Sequence, residues 1–358
     1  LTKQVEDSLE AQLRVEFKQL PTTDMTLTAF MQRSKFNNQF IGSLPNRRCL
    51  LSARDYHHAV SQYLGTPLPA LIRYVGRETG YNGNCIDPLG NSLSAGMHNL
   101  KNGWTRRHDT ISQLFQNFVR LAGADVAFEA DSVFAQCLGH TPQEQERARR
   151  LTRQQRRRRG LVPDVWLRGL VPSELADFKM LYWGLVYQRL CKHIGKALLN
   201  KQRSVSPSYV RKGKVADLEF NAGVNPGGDG PVVAHLRTFG RVRGFAVSVH
   251  GVSEDVICFL KYLADKAGHK RWRLMGARSP AEAKSVYYNQ FRQQLGIVMA
   301  RSLSRLMFDR LNHVVYGPNH EDAARHAHTR AAFDKEEEWY YNRHGPEVSG
   351  IGEPPSRG

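Results

Sequence analysis

Cysteine, acid and long apolar runs are what this 358-residue chain has little of. Its five cysteines, Cys49, Cys85, Cys137, Cys191 and Cys258, are odd in number and widely scattered. A small secreted domain stapled by disulfides does not look like this, so an intracellular, reducing compartment is expected, and the nucleus if the source is eukaryotic. No apolar stretch approaches the roughly 20 residues that a membrane helix needs, so no membrane partner is expected. With Leu1 at its start, the chain reads as a piece of a longer product. Acid is short by a wide margin: 33 Asp and Glu face 51 Lys and Arg, a formal charge of +18. Such a balance attracts polyanions and gains from counterion release, which puts nucleic acid, DNA or RNA, first among partners. Charge names no chemistry.

What is there divides by composition. Residues 1–103 read as an N-terminal region of helices and loops, with a turn-rich boundary around Gly65-Thr66-Pro67-Leu68-Pro69 and a Gly-, Asn- and Ser-rich loop from Gly76 to Gly103. Residues 104–268 read as the core, 269–316 as a C-terminal helical extension, and the polar 317–358 as a disordered tail. Within the core, Asp109 can cap a helix whose Ile111, Leu114, Phe115, Phe118, Val119 and Ala122 recur at helical spacing until Gly123. Asp125 to Glu129 alternates as a strand does, and Leu161–Leu170 and Leu175–Leu181 read as two more strands joined by a tight turn. A helix is expected over Leu185–Leu199, an insertion with little regular structure over 202–240, a buried strand over Arg243–His250 and a helix capped by Ser253. Ser279-Pro280-Ala281-Glu282 is a capping box that opens a long amphipathic helix to about Leu311. Helix, three strands, helix, strand and helix in this order imply an α/β layer around a small sheet.

Chemistry concentrates on two of those strands. Pro163-Asp164 lies on the second and Asp177-Phe178-Lys179 on the third, 13 residues on from one aspartate to the other. Side chains alternate across a strand, so Asp177 and Lys179 share a face, where a carboxylate and an ammonium can flank one water. Two carboxylates on one sheet face suit a hard cation such as Mg²⁺ or Mn²⁺ that keeps waters and meets phosphate directly. Acid-x-Lys alone is a cheap pattern, since Glu16-Phe17-Lys18 and Glu282-Ala283-Lys284 repeat it, but this copy follows the chain's single Pro-Asp. The bland reading is a surface ion pair beside a turn. Upstream, Glu144 to Arg159 carries eight arginines, ending in Arg156, Arg157, Arg158 and Arg159, which read as an exposed helix or arm that clamps a nucleic-acid backbone, with a nuclear-localisation signal or a solvated face as the other readings.

This constellation resembles the PD-(D/E)XK nuclease superfamily, and more narrowly the restriction-like endonuclease region that ends the polyproteins of some non-LTR retrotransposons. Arg107-His108-Asp109 stands where that family has Arg-His-Asp or Arg-His-Asn, Glu129 where it has a strand glutamate, and Pro163-Asp164 with Asp177 where it has its two aspartates. The resemblance implies a restriction-endonuclease-like αβββαβ core with added helices. It also implies catalytic Asp164, Asp177, Lys179 and Glu129, with Asp164 and Asp177 holding the metal. Arg106, Arg107 and His108 are candidate nucleic-acid contacts, with a structural hydrogen bond at the helix start as the other role open to His108. The activity implied is DNA cleavage whose freed 3′-hydroxyl primes a reverse transcriptase elsewhere in the parent polyprotein. The family's zinc knuckle is reduced here to Cys85 and His98, with Asn82 and Lys101 where partner cysteines belong, so no zinc is expected. Two readings from other classes stand beside this one: a nuclease-fold module that binds nucleic acid without cutting, and an assembly protein that coats it.

Overall fold

The structure, a computed structural model, describes Ser8 and residues 51–317, without 65, 80–84, 95–100, 140, 171, 182–192 and 249. Side chains of 53, 62–64, 91, 94 and 101–106 are likewise outside the described set. His98, Asn82, most of the N-terminal region and the expected tail therefore lie outside it, as do the side chains of Lys101 and Arg106.

Among the described residues the chain is mixed α/β. Helices α1 (Ala53–Leu64), α2 (Asn91–Ser94) and α3 (Lys101–Ala122) precede strand β1 (Val126–Phe128). Two short helices follow, α4 (Pro142–Arg149) and α5 (Arg153–Arg158), then strands β2 (Val165–Leu167) and β3 (Glu174–Met180). Helices α6 (Ile194–Phe220) and α7 (Pro231–Thr238) lead to strands β4 (Arg243–Ser248) and β5 (Gly251–Val252), and the chain closes on α8 (Glu254–Arg271) and α9 (Pro280–Tyr316). The sheet runs in the order β1-β2-β3-β4-β5. Pairing is antiparallel throughout except between β3 and β4, which are parallel. A parallel neighbour cannot be reached by a hairpin, and the crossover is the stretch that carries α6 and α7.

Alternation divides the sheet into two buried faces. Val165, Leu167, Ala176, Phe178, Phe245 and Val247 point into one core with α3, α8 and α9, where Phe115 stacks at 5.9 Å on Phe259 and Phe118 at 4.3 Å on Phe291. Leu175 and Trp166 point to the other face, against Val205, Tyr209, Ala216 and Phe220 of α6 and Val232 and Leu236 of α7. The helical face read on α3 is the buried one, and Gly123, at φ +62°, ends it in the left-handed conformation that glycine tolerates best. The start of α3 differs from expectation. It begins at Lys101, so Asp109 caps nothing and instead accepts a 3.2 Å contact from the ring of its neighbour His108.

A larger departure lies at 202–240, read as irregular and found to hold most of α6 and all of α7. Pro207 sits inside α6, and the stretch looks like a broken helix locally. Burial of Val205, Tyr209, Ala216 and Phe220 along one face stabilises it against that local preference. Asp217 adds a second constraint. Fully buried, it accepts from Val232 N at 2.8 Å, Val233 N at 3.1 Å and Asn221 Nδ2 at 2.9 Å, capping α7 from a neighbouring helix because Gly230 has no side chain to do so. Removing it strands three buried donors at roughly 1–3 kcal/mol each. Asp217→Ala is expected to lower stability by at least about 3 kcal/mol, read as a drop in the urea midpoint at unchanged slope.

Both capping expectations downstream have structural answers. Ser279 accepts from Glu282 N at 3.2 Å, as a capping residue should, while Glu282 reaches back to Arg278 N at 2.7 Å. Ser253 starts α8 but gives its hydroxyl to the sheet, donating to Gly244 O at 2.8 Å and accepting from Ala246 N at 3.1 Å. The far half of α9 holds the N-terminal segment. Ser304 bonds Asp55 at 2.6 Å, the fully buried Arg310 donates to Leu93 O at 2.6 Å, and Leu68, Leu71, Ile86 and Leu93 pack on Met307 and Leu311.

Candidate active site

Antiparallel register builds the site. Val165 pairs with Ala176, and one step further outward the same register sets Asp164 opposite Asp177. Asp164 is thus at the threshold of β2, one residue before the strand as formed, with its own carbonyl accepting from Glu129 N at 2.9 Å. Asp164 and Asp177 are both buried on the face that α6 covers, and Lys179, two residues along β3, joins them there in direct ion-pair contact with Asp177. The structure brings together the three side chains that the sequence singled out.

Each is held from several directions. Asp164 Oδ2 accepts from Phe178 N at 2.8 Å and lies 3.1 Å from His108 Nε2, and Oδ1 accepts from Arg157 Nη2 at 2.9 Å. Burial alone would raise the Asp164 carboxyl, but its bond to His108, the charges of His108 and Arg157 and its contact with Asp177 outweigh this and hold it below the usual carboxylate range. Asp177 goes the other way. Burial, then the Asp164 charge, push it up to about 6 against the pull of Lys179. His108 bridges Asp164 and Asp109 and stands edge-on to Phe178 at 5.9 Å. Burial disfavours its charged form, yet the hydrogen bond and charge of Asp164 raise its pKa above the ordinary histidine value.

The chain matches no known protein family, curated protein or solved structure in three separate comparisons. The site therefore rests on its own geometry.

Two further residues enter that geometry from α6, unread in the sequence because their stretch looked irregular. Tyr209 is buried and donates its hydroxyl to Asp177 Oδ1 at 3.0 Å. Lys212, one turn on, is half-buried among the same groups, its pKa lowered by burial and then by the Lys179 ammonium. An i, i+3 pair that points an aromatic hydroxyl and an amine to one side was the available signal.

Glu129 and the arginines are placed differently from one another. Glu129 follows β1 at φ +47°, the one described non-glycine residue with positive φ, and its carboxylate pairs with Arg153 at 2.5 Å and Arg157 at 3.4 Å rather than with the two aspartates. The arginine-rich segment is two capped helices, with Thr141 and Thr152 each closing a capping box. Arg157 is turned into the site, and Arg159 forms a two-pronged pair with Glu219 at 2.8 and 2.7 Å. Arg156 lies 3.8 Å from Asp131, and Arg158 is exposed. Arg107, expected at a nucleic-acid surface, is buried at 2% exposure, because the early start of α3 turns that position toward the core. A phosphate does not reach it in this arrangement.

Chemically, the donor set is two adjacent carboxylates with a third, Glu129, one guanidinium away. Among the described residues no group of three His, Cys, Asp or Glu side chains is assembled to hold a metal. Two carboxylates fit a hard cation that retains waters and takes substrate oxygens, and do not fit a closed protein cage.

Proposed function

We propose that this chain is a metal-dependent endonuclease that hydrolyses phosphodiester bonds in DNA, with a restriction-endonuclease-like core. The observation that carries this reading is Asp164 opposite Asp177 on one sheet face with Lys179 beside them. Support for the finer fold comes from the order helix α3, strands β1, β2 and β3, helix α6 and strand β4, which is the αβββαβ order that the sequence resemblance implies. The charge of +18 supports a polyanionic substrate. Mg²⁺ or Mn²⁺ would be held by Asp164 and Asp177. Bound there, the cation lowers the pKa of a water and neutralises phosphate charge.

The protein's own groups then do the following. Tyr209 and Lys179 fix the Asp177 carboxylate from two sides, and Phe178 N and His108 fix Asp164, so neither carboxylate reorganises as charge develops. Lys179 presents an ammonium beside the attacked phosphate, where it orients the attacking water and stabilises negative charge on the phosphoryl oxygens. The water oxygen bonds to phosphorus and releases a proton to solvent, the bond to the leaving 3′ oxygen breaks and that oxygen takes a proton from solvent, and the products are a 3′-hydroxyl and a 5′-phosphate. In a retrotransposon setting that hydroxyl would prime a reverse transcriptase in the same polyprotein.

The expected result is that purified protein nicks supercoiled plasmid with Mg²⁺ or Mn²⁺ and not with chelator, and that Lys179→Ala slows nicking by about 10²-fold or more. Equal nicking by the variant, or by wild type in chelator, would remove the reading. A second reading, a nuclease-fold module that binds nucleic acid without cutting, is favoured by the pairing of Glu129 with Arg153 and Arg157. It predicts salt-sensitive binding, indifferent to chelator, and no nicks.

A further inference from the structure

The two oxygens of Asp164 have different occupants. Oδ2 is committed to the fold through Phe178 N and His108, whereas Oδ1 is held by Arg157 Nη2 at 2.9 Å. The other arm of the same guanidinium, Nη1, lies 3.4 Å from Glu129 Oε1. One planar cation thus bridges two carboxylates that come from different strand ends. Arg157 reaches that place from α5, whose backbone is fixed by the Thr152 capping box, by Arg153 on Glu129 and Asp131, and by Arg159 on Glu219. Its side chain is 36% exposed against 4% for Asp164, so it can swing to solvent without unfolding the helix.

We infer that Arg157 is an internal counter-ion standing on Oδ1 of Asp164, the oxygen that Phe178 N and His108 leave free, and that a divalent cation enters only by displacing it. The inference rests on the reading of Asp164 and Asp177 as a cation site. Its physical basis is competition: a carboxylate oxygen shared with a guanidinium cannot be given whole to a metal, and two cations so close repel each other. Displacement also frees Glu129 Oε1 from Arg157, while Arg153 keeps its pair with Oε2. It leaves a guanidinium at the rim, suited to a substrate phosphate.

The test is binding of Mn²⁺ alone to metal-stripped full-length chain, followed by the electron paramagnetic resonance signal of the free ion. Arg157→Gln is expected to bind about tenfold more tightly than wild type, roughly 1.4 kcal/mol. Arg158→Gln, which removes an exposed charge one residue away, is expected to leave affinity within about twofold. Arg157→Lys, which keeps a charge but cannot bridge both carboxylates, is expected to fall between them, and carries the test if Arg157→Gln does not fold. Unchanged or weaker binding by the Arg157 variants overturns the inference, as does an equal gain from Arg158→Gln, which would mean general charge. If no Mn²⁺ site that Asp164→Asn abolishes is found in wild type or variant, the cation-site reading itself falls and takes the inference with it.

Discussion

Asp177→Asn is expected to abolish metal-dependent nicking, by at least about 10³-fold, while making the protein more stable at pH 8. Activity goes because the amide cannot supply a charged ligand, although it keeps an oxygen for the Tyr209 hydroxyl. Stability rises because the native carboxylate is buried beside Asp164. Its pKa, ordinarily 3.8, is pushed up to about 6 by that burial and then by the Asp164 charge. A carboxyl raised on folding contributes stability that is complete below its ordinary pKa and lost as pH rises through about 6. At pH 8 wild type therefore carries a charge the fold disfavours, and the variant does not.

Melting in chelator checks this: the variant should lie a few degrees above wild type at pH 8, with the difference closing as pH falls below about 6. Asp164→Asn should behave oppositely. Its carboxyl is held low, so its contribution is present above the ordinary carboxylate pKa and lost on acidification, and the amide destabilises at neutral pH by deserting His108 and Arg157. DNA binding measured in chelator should survive Asp177→Asn. If the two variants move stability in the same direction, the opposed environments of the aspartates are wrong.

Gly244→Ala is expected to cost both stability and activity, because that glycine is where α6 meets the sheet. A Cβ there would lie 2.4 Å from Gln202 O and 2.6 Å from Gln202 Cα. These are backbone atoms, so no change of rotamer relieves the clash, and α6 must move as a body. Overpacking of this kind costs roughly 1–3 kcal/mol, occasionally more. Gly244 also pairs with Asp177 across the β3–β4 ladder, and α6 carries Tyr209 and Lys212. Shifting α6 therefore withdraws the Tyr209 hydroxyl from Asp177. Nicking should fall beyond what the unfolded fraction explains. Gly195→Ala in the same helix is the control: nothing lies within 4 Å of its Cβ, and alanine there should be neutral or stabilise by up to about 1 kcal/mol. Equal stability and activity in both variants would mean that close approach of α6 to the sheet is not what holds the site.

Some of the site was legible in the residues alone. Period-two alternation is a local property, so Asp177 and Lys179 had to share a face wherever β3 lay. Two consecutive strands put Asp164 and Asp177 near each other, although β2 as formed is shorter than read and residues 168–173, rather than a tight turn, separate it from β3; periodicity marked the buried face of α3. Caps and glycines gave several ends, among them Ser279 and Gly123.

Other parts could not be read this way, because their cause is distant in sequence. Pro207 and the polar stretch around it break the local helical pattern, and only burial against the sheet and α7 makes 194–220 one helix. Tyr209 and Lys212 were hidden by the same broken pattern. Arg157 looked like one of four equal arginines, and its neighbours alone could not tell that it points inward to Asp164 while Arg158 points out. By itself the sequence determined charge, strand faces and the identity of the carboxylate pair, since those follow from composition and from geometry within a few residues. Tertiary structure decided which helix closes over the pair, which arginine neutralises it and why the two aspartates titrate in opposite directions, since those depend on through-space distances between segments the chain does not connect directly.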